Sequence, residues 1–196
     1  WAWDITKLRT GVPHRFWYLY AVLDQWSRKV VGWHVSERET SAEARRAWDQ
    51  AILAEGVPAE RMPVSLSDRG AQMRSKSTST FFQDLGVGQL FARPRTPNDN
   101  PFVESLFATV KTAPAYPDGF ATIAEAMAYF TRFFAWYNDE HLHTRIGMVT
   151  PGQKHSGEAV KILAEREVIK QRTMAQRRLV NSQQGVPNKE PEAAVS

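Results

Sequence analysis

This 196-residue sequence predicts an α/β fold: a five-stranded mixed sheet, its first three strands antiparallel, flanked by helices. Three observations predict it. Three aromatic and apolar runs near the start are joined by connections too short for parallel crossovers. After Thr40 the apolar period lengthens from two to about 3.6. From there short strands alternate with helices, the order of a sheet covered on its faces.

Residues 1–9 (WAWDITKLR) read as the first strand, and Thr10-Gly11-Val12-Pro13 supplies a turn. Residues 16–24 (FWYLYAVLD) are rich in aromatic and apolar side chains and form the second. Gln25 to Ser27 turn the chain into a third strand at residues 28–37. Thr40-Ser41-Ala42-Glu43 has the spacing of a capping box. Ala44, Ala47, Trp48, Ala51 and Ile52 follow at helical spacing, and Gly56 to Pro58 stop that helix. A short strand at 63–67 leads into Asp68, a helix at 75–85 closes on Gly86, and a fifth strand runs over 87–92. Residues 93–101 (RPRTPNDNP) read as a loop, with Asn100 as N-cap and Pro101 at the first position of a helix over 101–112. A helix at 122–138 places Ala126, Tyr129, Phe130, Phe133, Phe134 and Tyr137 at core spacing.

Composition narrows the class. With 42% hydrophobic residues the chain can fill a sizeable core, and its lack of cysteine excludes disulfides and Cys-based zinc sites. No apolar run approaches the roughly 18 residues of a membrane span, and no secretory signal pattern is present. The expectation is a soluble, cytoplasmic protein. The net charge is only +4. Much of it lies in residues 161–178, where Lys161, Arg166, Lys170, Arg172, Arg177 and Arg178 face Glu165 and Glu167. Such a segment is either a solvated charged helix or a surface for phosphate contacts. The domain reading is therefore a core over 1–155, a basic helical extension over 156–178 and a disordered tail over 179–196. Trp1 opens the chain inside a strand, so an N-terminal part is expected ahead of it.

Three carboxylates stand at informative places. Asp4 lies mid-strand, where Asp is disfavoured; Asp68 follows the fourth strand; Glu104 is on the first turn of the helix after the proline-rich loop. Each alone has an ordinary reading, as an outward strand residue, a turn cap or a charge favoured by the helix dipole. Thirty-five residues separate Asp68 from Glu104. If the three share one cleft, two bare carboxylates about 4 Å apart repel by roughly 4 kcal/mol at an effective dielectric near 20. Cations would relieve that cost. All-oxygen ligands suit Mg²⁺ or Mn²⁺. Two such ions can activate an attacking oxygen and stabilise a leaving one in phosphodiester chemistry. Lys111, two turns after Glu104, shares a stripe with it and Ala108, while Val103, Leu106, Phe107 and Val110 face elsewhere.

The pieces Trp3-Asp4-Ile5-Thr6, VLDQWSRKVVGW (22–33), SDRGAQ (67–72), NDNPFVESLF (98–107), Lys111, and Trp136-Tyr137-Asn138 continuing to Thr150-Pro151 form an ordered set over about residues 1–155. This set resembles the retroviral-type integrase core, and most closely the transposases of the insertion-sequence-three family. The resemblance implies an RNase H-like fold and a DDE-type enzyme that cleaves and joins DNA in transposition. It implies Asp4, Asp68 and Glu104 as catalytic ligands of two Mg²⁺ or Mn²⁺ ions. Expected DNA contacts are Lys111, Arg93, Arg95 and Arg69. Expected partners are transposon ends, target DNA and further copies of the chain assembled on DNA, in a bacterial cytoplasm at the nucleoid and away from membranes. Met73 departs from the aromatic residue frequent near the second Asp, and His141 departs from an Arg-x-His form. An RNase H-like nuclease and a catalytically inactive DNA-binding relic remain the alternatives. Asp24 reads as a turn cap, Asp99 as a partner in capping, and His141 with His143 as a pair without a third metal ligand.

Overall fold

The computed structural model describes residues 1–93 and 100–183. Three antiparallel strands open it: β1 (Ala2–Arg9), β2 (Phe16–Leu23) and β3 (Val30–Ser36). The turn between β2 and β3 is closed by Asp24, whose Oδ1 accepts from the Ser27 N–H and from the Ser27 hydroxyl, each at 2.7 Å. Two short parallel strands complete the sheet, β4 (Ser65–Ser67) against β1 and β5 (Gln89–Phe91) against β4. The strand order is β3-β2-β1-β4-β5. The sequence reading of both parallel strands was two or three residues too long, because their apolar flanks lie outside the ladder.

Among the described residues six α-helices accompany the strands: α1 (Ser41–Ala54), α2 (Lys76–Asp84), α3 (Pro101–Thr112), α4 (Ile123–Asp139), α5 (Pro151–Ser156) and α6 (Glu158–Gln183). Thr40 caps α1 through the Glu43 N–H, and Thr122 caps α4 through the Glu125 N–H. By contacts the chain divides into two units, Trp1–His155 and Ser156–Ser196. In the second unit, α6 runs through Gln183, so Leu179–Gln183 are helical where the sequence reading began a tail. No glycine or proline stands before Gly185 to stop the helix. The rest of the expected tail lies outside the described residues. From Leu163 onward the helix is exposed, with Glu167 receiving Lys170 at 3.2 Å and Gln171 at 2.6 Å, while Ala159 in its first turn is buried. Among the described residues no helix is long and apolar enough to cross a membrane.

Strand alternation sorts the first unit into two cores. Ala2, Leu8, Leu19, Ala21 and Leu23 face α3 and α4, joining Val103, Leu106, Val110, Phe130 and Phe134. Trp3, Tyr20, Val22 and Val31 face the other way and pack with Trp48 of α1 and Phe82 of α2. A Cβ on Gly32 would lie 2.5 Å from the Ala51 Cβ and 2.7 Å from the Ala47 carbonyl oxygen, so glycine is what lets α1 cross β3 this closely. Trp48 is completely buried, edge-on to Phe82 at 4.7 Å and to Trp3 at 6.4 Å. Trp48→Ala is therefore expected to cost about 3–5 kcal/mol, measured by urea unfolding. A loss below about 1 kcal/mol would show that this cluster does not hold α1 to the sheet.

Candidate active site

Alternation on β1 also decides where Asp4 goes. It shares a face with Ala2, Thr6 and Leu8, the face covered by α3. The carboxylate is half-buried, and its Oδ1 accepts from the Ile5 N–H at 2.8 Å. Burial pushes this carboxyl up to about 7. The Ile5 N–H works against the rise, and the charges of Asp68, Glu104 and Glu39 add to it. The three carboxylates read from the sequence thus lie near enough for the charges of Asp68 and Glu104 to act on Asp4. Glu39, in the connection from β3 to α1, joins them; nothing in its local sequence marked it.

Asp68 is exposed just past the end of β4. Ala2 of β1 pairs with Leu66 in the parallel ladder. Two residues further along each chain lie Asp4 and Asp68, the latter just past the end of the ladder, so the register brings both to the same end of neighbouring strands. Oδ1 of Asp68 accepts from the Gly70 N–H at 2.8 Å. A Cβ on Gly70 would sit 3.1 Å from that oxygen and 2.8 Å from the Met73 sulfur. Glycine therefore permits the turn that holds the Asp68 carboxylate. Met73 itself is buried in the Trp3–Trp48–Phe82 core, so its departure from the aromatic form is absorbed as packing.

Glu104 is exposed on the first turn of α3, one turn after Asn100. Asn100 occupies the N-cap position but makes no side-chain cap. Its buried amide nitrogen instead reaches the Trp3 carbonyl at 3.4 Å. Along α3, Val103, Leu106, Phe107 and Val110 are buried, while Glu104, Ala108 and Lys111 are exposed. The Lys111 ammonium donates to the Thr6 hydroxyl at 2.8 Å, which puts a cation two residues from Asp4 on the same strand face. Thr6 was not singled out by sequence; its place at i+2 from Asp4 is the signal that could have found it.

Of the expected DNA contacts, Arg69 is turned toward the sheet, its Nε donating to the Ala92 carbonyl at 3.0 Å. Arg93 is exposed at the end of the described segment. Arg95 and Asp99 lie outside the described residues, as does most of the loop to which they belong. His143 meets the Tyr137 hydroxyl at 2.8 Å, and burial lowers the pKa of both His141 and His143. Among the described residues no group of three or more His, Asp or Glu side chains is gathered tightly enough to hold a metal ion as it stands. Bare carboxylates repel, and those of Asp4 and Asp68 are each drawn onto a local backbone N–H.

A mixed sheet ordered β3-β2-β1-β4-β5 and accompanied by helices defines an RNase H-like fold. Two family models, each described as an integrase core domain, match residues 1–97 and 85–151, and the chain belongs to that family. Its relatives include the IS3 transposases. It is 30% identical over 154 residues to transposase InsF of IS3A from Escherichia coli, a match covering 78% of this chain and 52% of that protein. Against the putative transposase InsK of IS150 from Escherichia coli the identity is 28% over 151 residues, covering 77% of this chain and 52% of that one. The chain thus spans about half the length of these curated relatives. Among solved structures, the simian T-cell lymphotropic virus intasome in complex with the PP2A regulatory subunit B56 gamma matches with a TM-score of 0.63 and 21% identity, over 79% of this chain and 53% of that one. The HTLV-2 integrase catalytic core in complex with magnesium matches with a TM-score of 0.58 and 18% identity, over 79% of this chain and 95% of that one.

Proposed function

We propose that this chain is the catalytic core of a DNA transposase, cleaving and joining DNA strands with divalent metal held by Asp4, Asp68 and Glu104. One observation carries the reading. In a chain of the integrase core family, Asp4 sits mid-strand with its proton affinity raised first by burial and further by the charges of Asp68 and Glu104, residues distant in sequence that lie just past β4 and on α3. A half-buried acidic strand residue with two acidic neighbours is costly for a fold and useful for holding a cation.

The donor set fits Mg²⁺ or Mn²⁺, being entirely carboxylate oxygen. When bound, a pair of such ions supplies charge stabilisation to the attacking and leaving oxygens of a phosphodiester. The chain's own residues do the rest. Asp4 gives up its proton to become a ligand, so cation affinity rises with pH toward and beyond 7. Asp68 is preset by the Gly70 N–H and Glu104 by the first turn of α3. Lys111, held at Thr6, offers a positive charge to a phosphate that lies along the same face. Arg93, Arg95 and the basic residues of α6 are proposed to add phosphate contacts without reading sequence. Arg69 is a weaker candidate, since its Nε is committed to the Ala92 carbonyl. Assembly of several copies on DNA is proposed as well, one structural neighbour being an intasome.

The test is an oligonucleotide carrying an element end and a 5′ label, incubated with the chain and Mg²⁺. Joined products are the expected result. Cut products without joining would replace the proposal with a nuclease, and bound but unchanged DNA would replace it with a binding module.

A further inference from the structure

The β1–β4 ladder stops where the site begins. The Trp1 carbonyl accepts from the Leu66 N–H at 2.8 Å. Carbonyls two residues apart on a strand point to the same edge, so the next acceptor on that edge is Trp3 O. Its partner in a continued ladder would be the Asp68 N–H. β4 ends at Ser67, however, and Asp68 turns away toward Gly70. The donor that reaches Trp3 O is instead the Asn100 side-chain amide, at 3.4 Å.

Asn100 is only 5% exposed, and its Oδ1 has no hydrogen-bond partner among the described residues. Helix capping does not explain it, since the residue sits at the N-cap of α3 with no side-chain cap bond. A buried carboxamide left half-satisfied costs stability. What it secures is a tie between the strand that carries Asp4 and the helix turn that carries Glu104.

We propose that Asn100 is a positioning residue: its side-chain amide takes the place of the β4 main chain on the Trp3 carbonyl and fixes the first turn of α3, with Glu104, beside Asp4. This rests on the metal-dependent reading of the Asp4, Asp68 and Glu104 site. The carboxamide does two jobs at once. It satisfies a β1 carbonyl that the diverging ladder abandons, so Asp68 is free to leave the sheet. It also sets the gap across which two carboxylates from different elements must share a cation. Gaps of this kind must be held to about 0.5 Å for ligands to act together. Pro101, which follows at the first helical position, has no N–H to compete for the Asn100 side chain.

The experiment is a calorimetric titration of the full chain with Mn²⁺ alone, at a temperature well below the melting point of every variant, paired with the joining assay in Mg²⁺. Asn100→Ala is expected to weaken Mn²⁺ binding at least tenfold and to lower the joining rate at least a hundredfold, with DNA affinity within threefold of the parent. Val110→Ala, a cavity on the buried face of the same helix, serves as the stability control: it is expected to lower the melting temperature while leaving Mn²⁺ affinity within threefold. Asn100→Gln, which keeps the amide donor, is expected to recover part of the Mn²⁺ affinity lost in Asn100→Ala. If Asn100→Ala binds Mn²⁺ like the parent, or loses no more than Val110→Ala, the residue is structural only and the proposal is overturned. Glu104→Gln separates this failure from that of the underlying reading. If it too binds Mn²⁺ like the parent, the metal site itself is misassigned. If it weakens binding while Asn100→Ala does not, only the positioning role falls.

Discussion

Glu104→Gln is expected to reduce both cleavage and joining by at least about a thousandfold with Mg²⁺ as the only metal, equivalent to roughly 4 kcal/mol of transition-state stabilisation. The substitution removes one ligand charge at nearly constant volume. Glu104 is exposed on α3, with its buried neighbours Val103, Leu106 and Phe107 on other faces, so the fold has little reason to change. Melting temperature and circular dichroism should match the parent, and DNA retention on a filter should be within a few-fold. Near-normal joining by this variant would remove Glu104 from the site and with it the three-carboxylate proposal. A loss of activity together with a lower melting temperature would instead point to damage at the start of α3.

Much of the architecture was legible because local chemistry and tertiary role agree in this chain. Thr40 with Glu43, Pro101 after Asn100, and Gly86 after α2 mark helix ends by mechanisms that act within one turn. The alternation on β2 separates Trp17, Leu19, Ala21 and Leu23 from Tyr18, Tyr20 and Val22, and the two sets enter two different cores. The prolongation of α6 to Gln183 was missed because a polar composition was read as a tail, although no helix-breaking residue intervenes.

The candidate site was legible in part for a different reason. Asp4 stands mid-strand, where propensity disfavours it, and the spacing from Asp68 to Glu104 gave a pattern to recognise. What the sequence could not carry is what depends on register between elements. That Asp4 and Asp68 come to the same end of neighbouring strands follows from the Ala2–Leu66 pair, which no local window contains. The link from Lys111 to Thr6 crosses 105 positions, and that from Asn100 to Trp3 crosses 97. Asn100 is the instructive case. Its neighbourhood is that of an ordinary N-cap, and the position is correct, yet the side chain serves another strand. Arg69 is likewise tied by a contact distant in sequence: beside Asp68, its Nε donates to the Ala92 carbonyl just past β5.

Asp4→Asn is expected to abolish joining, by at least about a thousandfold, while making the fold more stable at neutral and higher pH. The sign follows from linkage. The Asp4 carboxyl has an ordinary value of 3.8 and is pushed up to about 7 in the folded chain. Between those limits the folded state holds more protons than the unfolded one, so stability falls as pH rises from about 4 to about 7 and stays low above. The asparagine has no proton to lose and escapes this penalty. At pH 4 carboxyl and amide are both neutral, and the two proteins should melt together. At pH 8, in chelator and without metal, the variant should melt higher by on the order of 3–6 °C. Adding Mg²⁺ at pH 8 should raise the parent's melting temperature by mass action, and leave Asp4→Asn nearly unmoved. A gap that is the same at pH 4 and pH 8 would mean that the Asp4 charge is not the source of the strain. A variant that gains as much from Mg²⁺ as the parent would mean that Asp4 is not a ligand. The two readings can fail separately, because one concerns how the fold bears the charge and the other what relieves it.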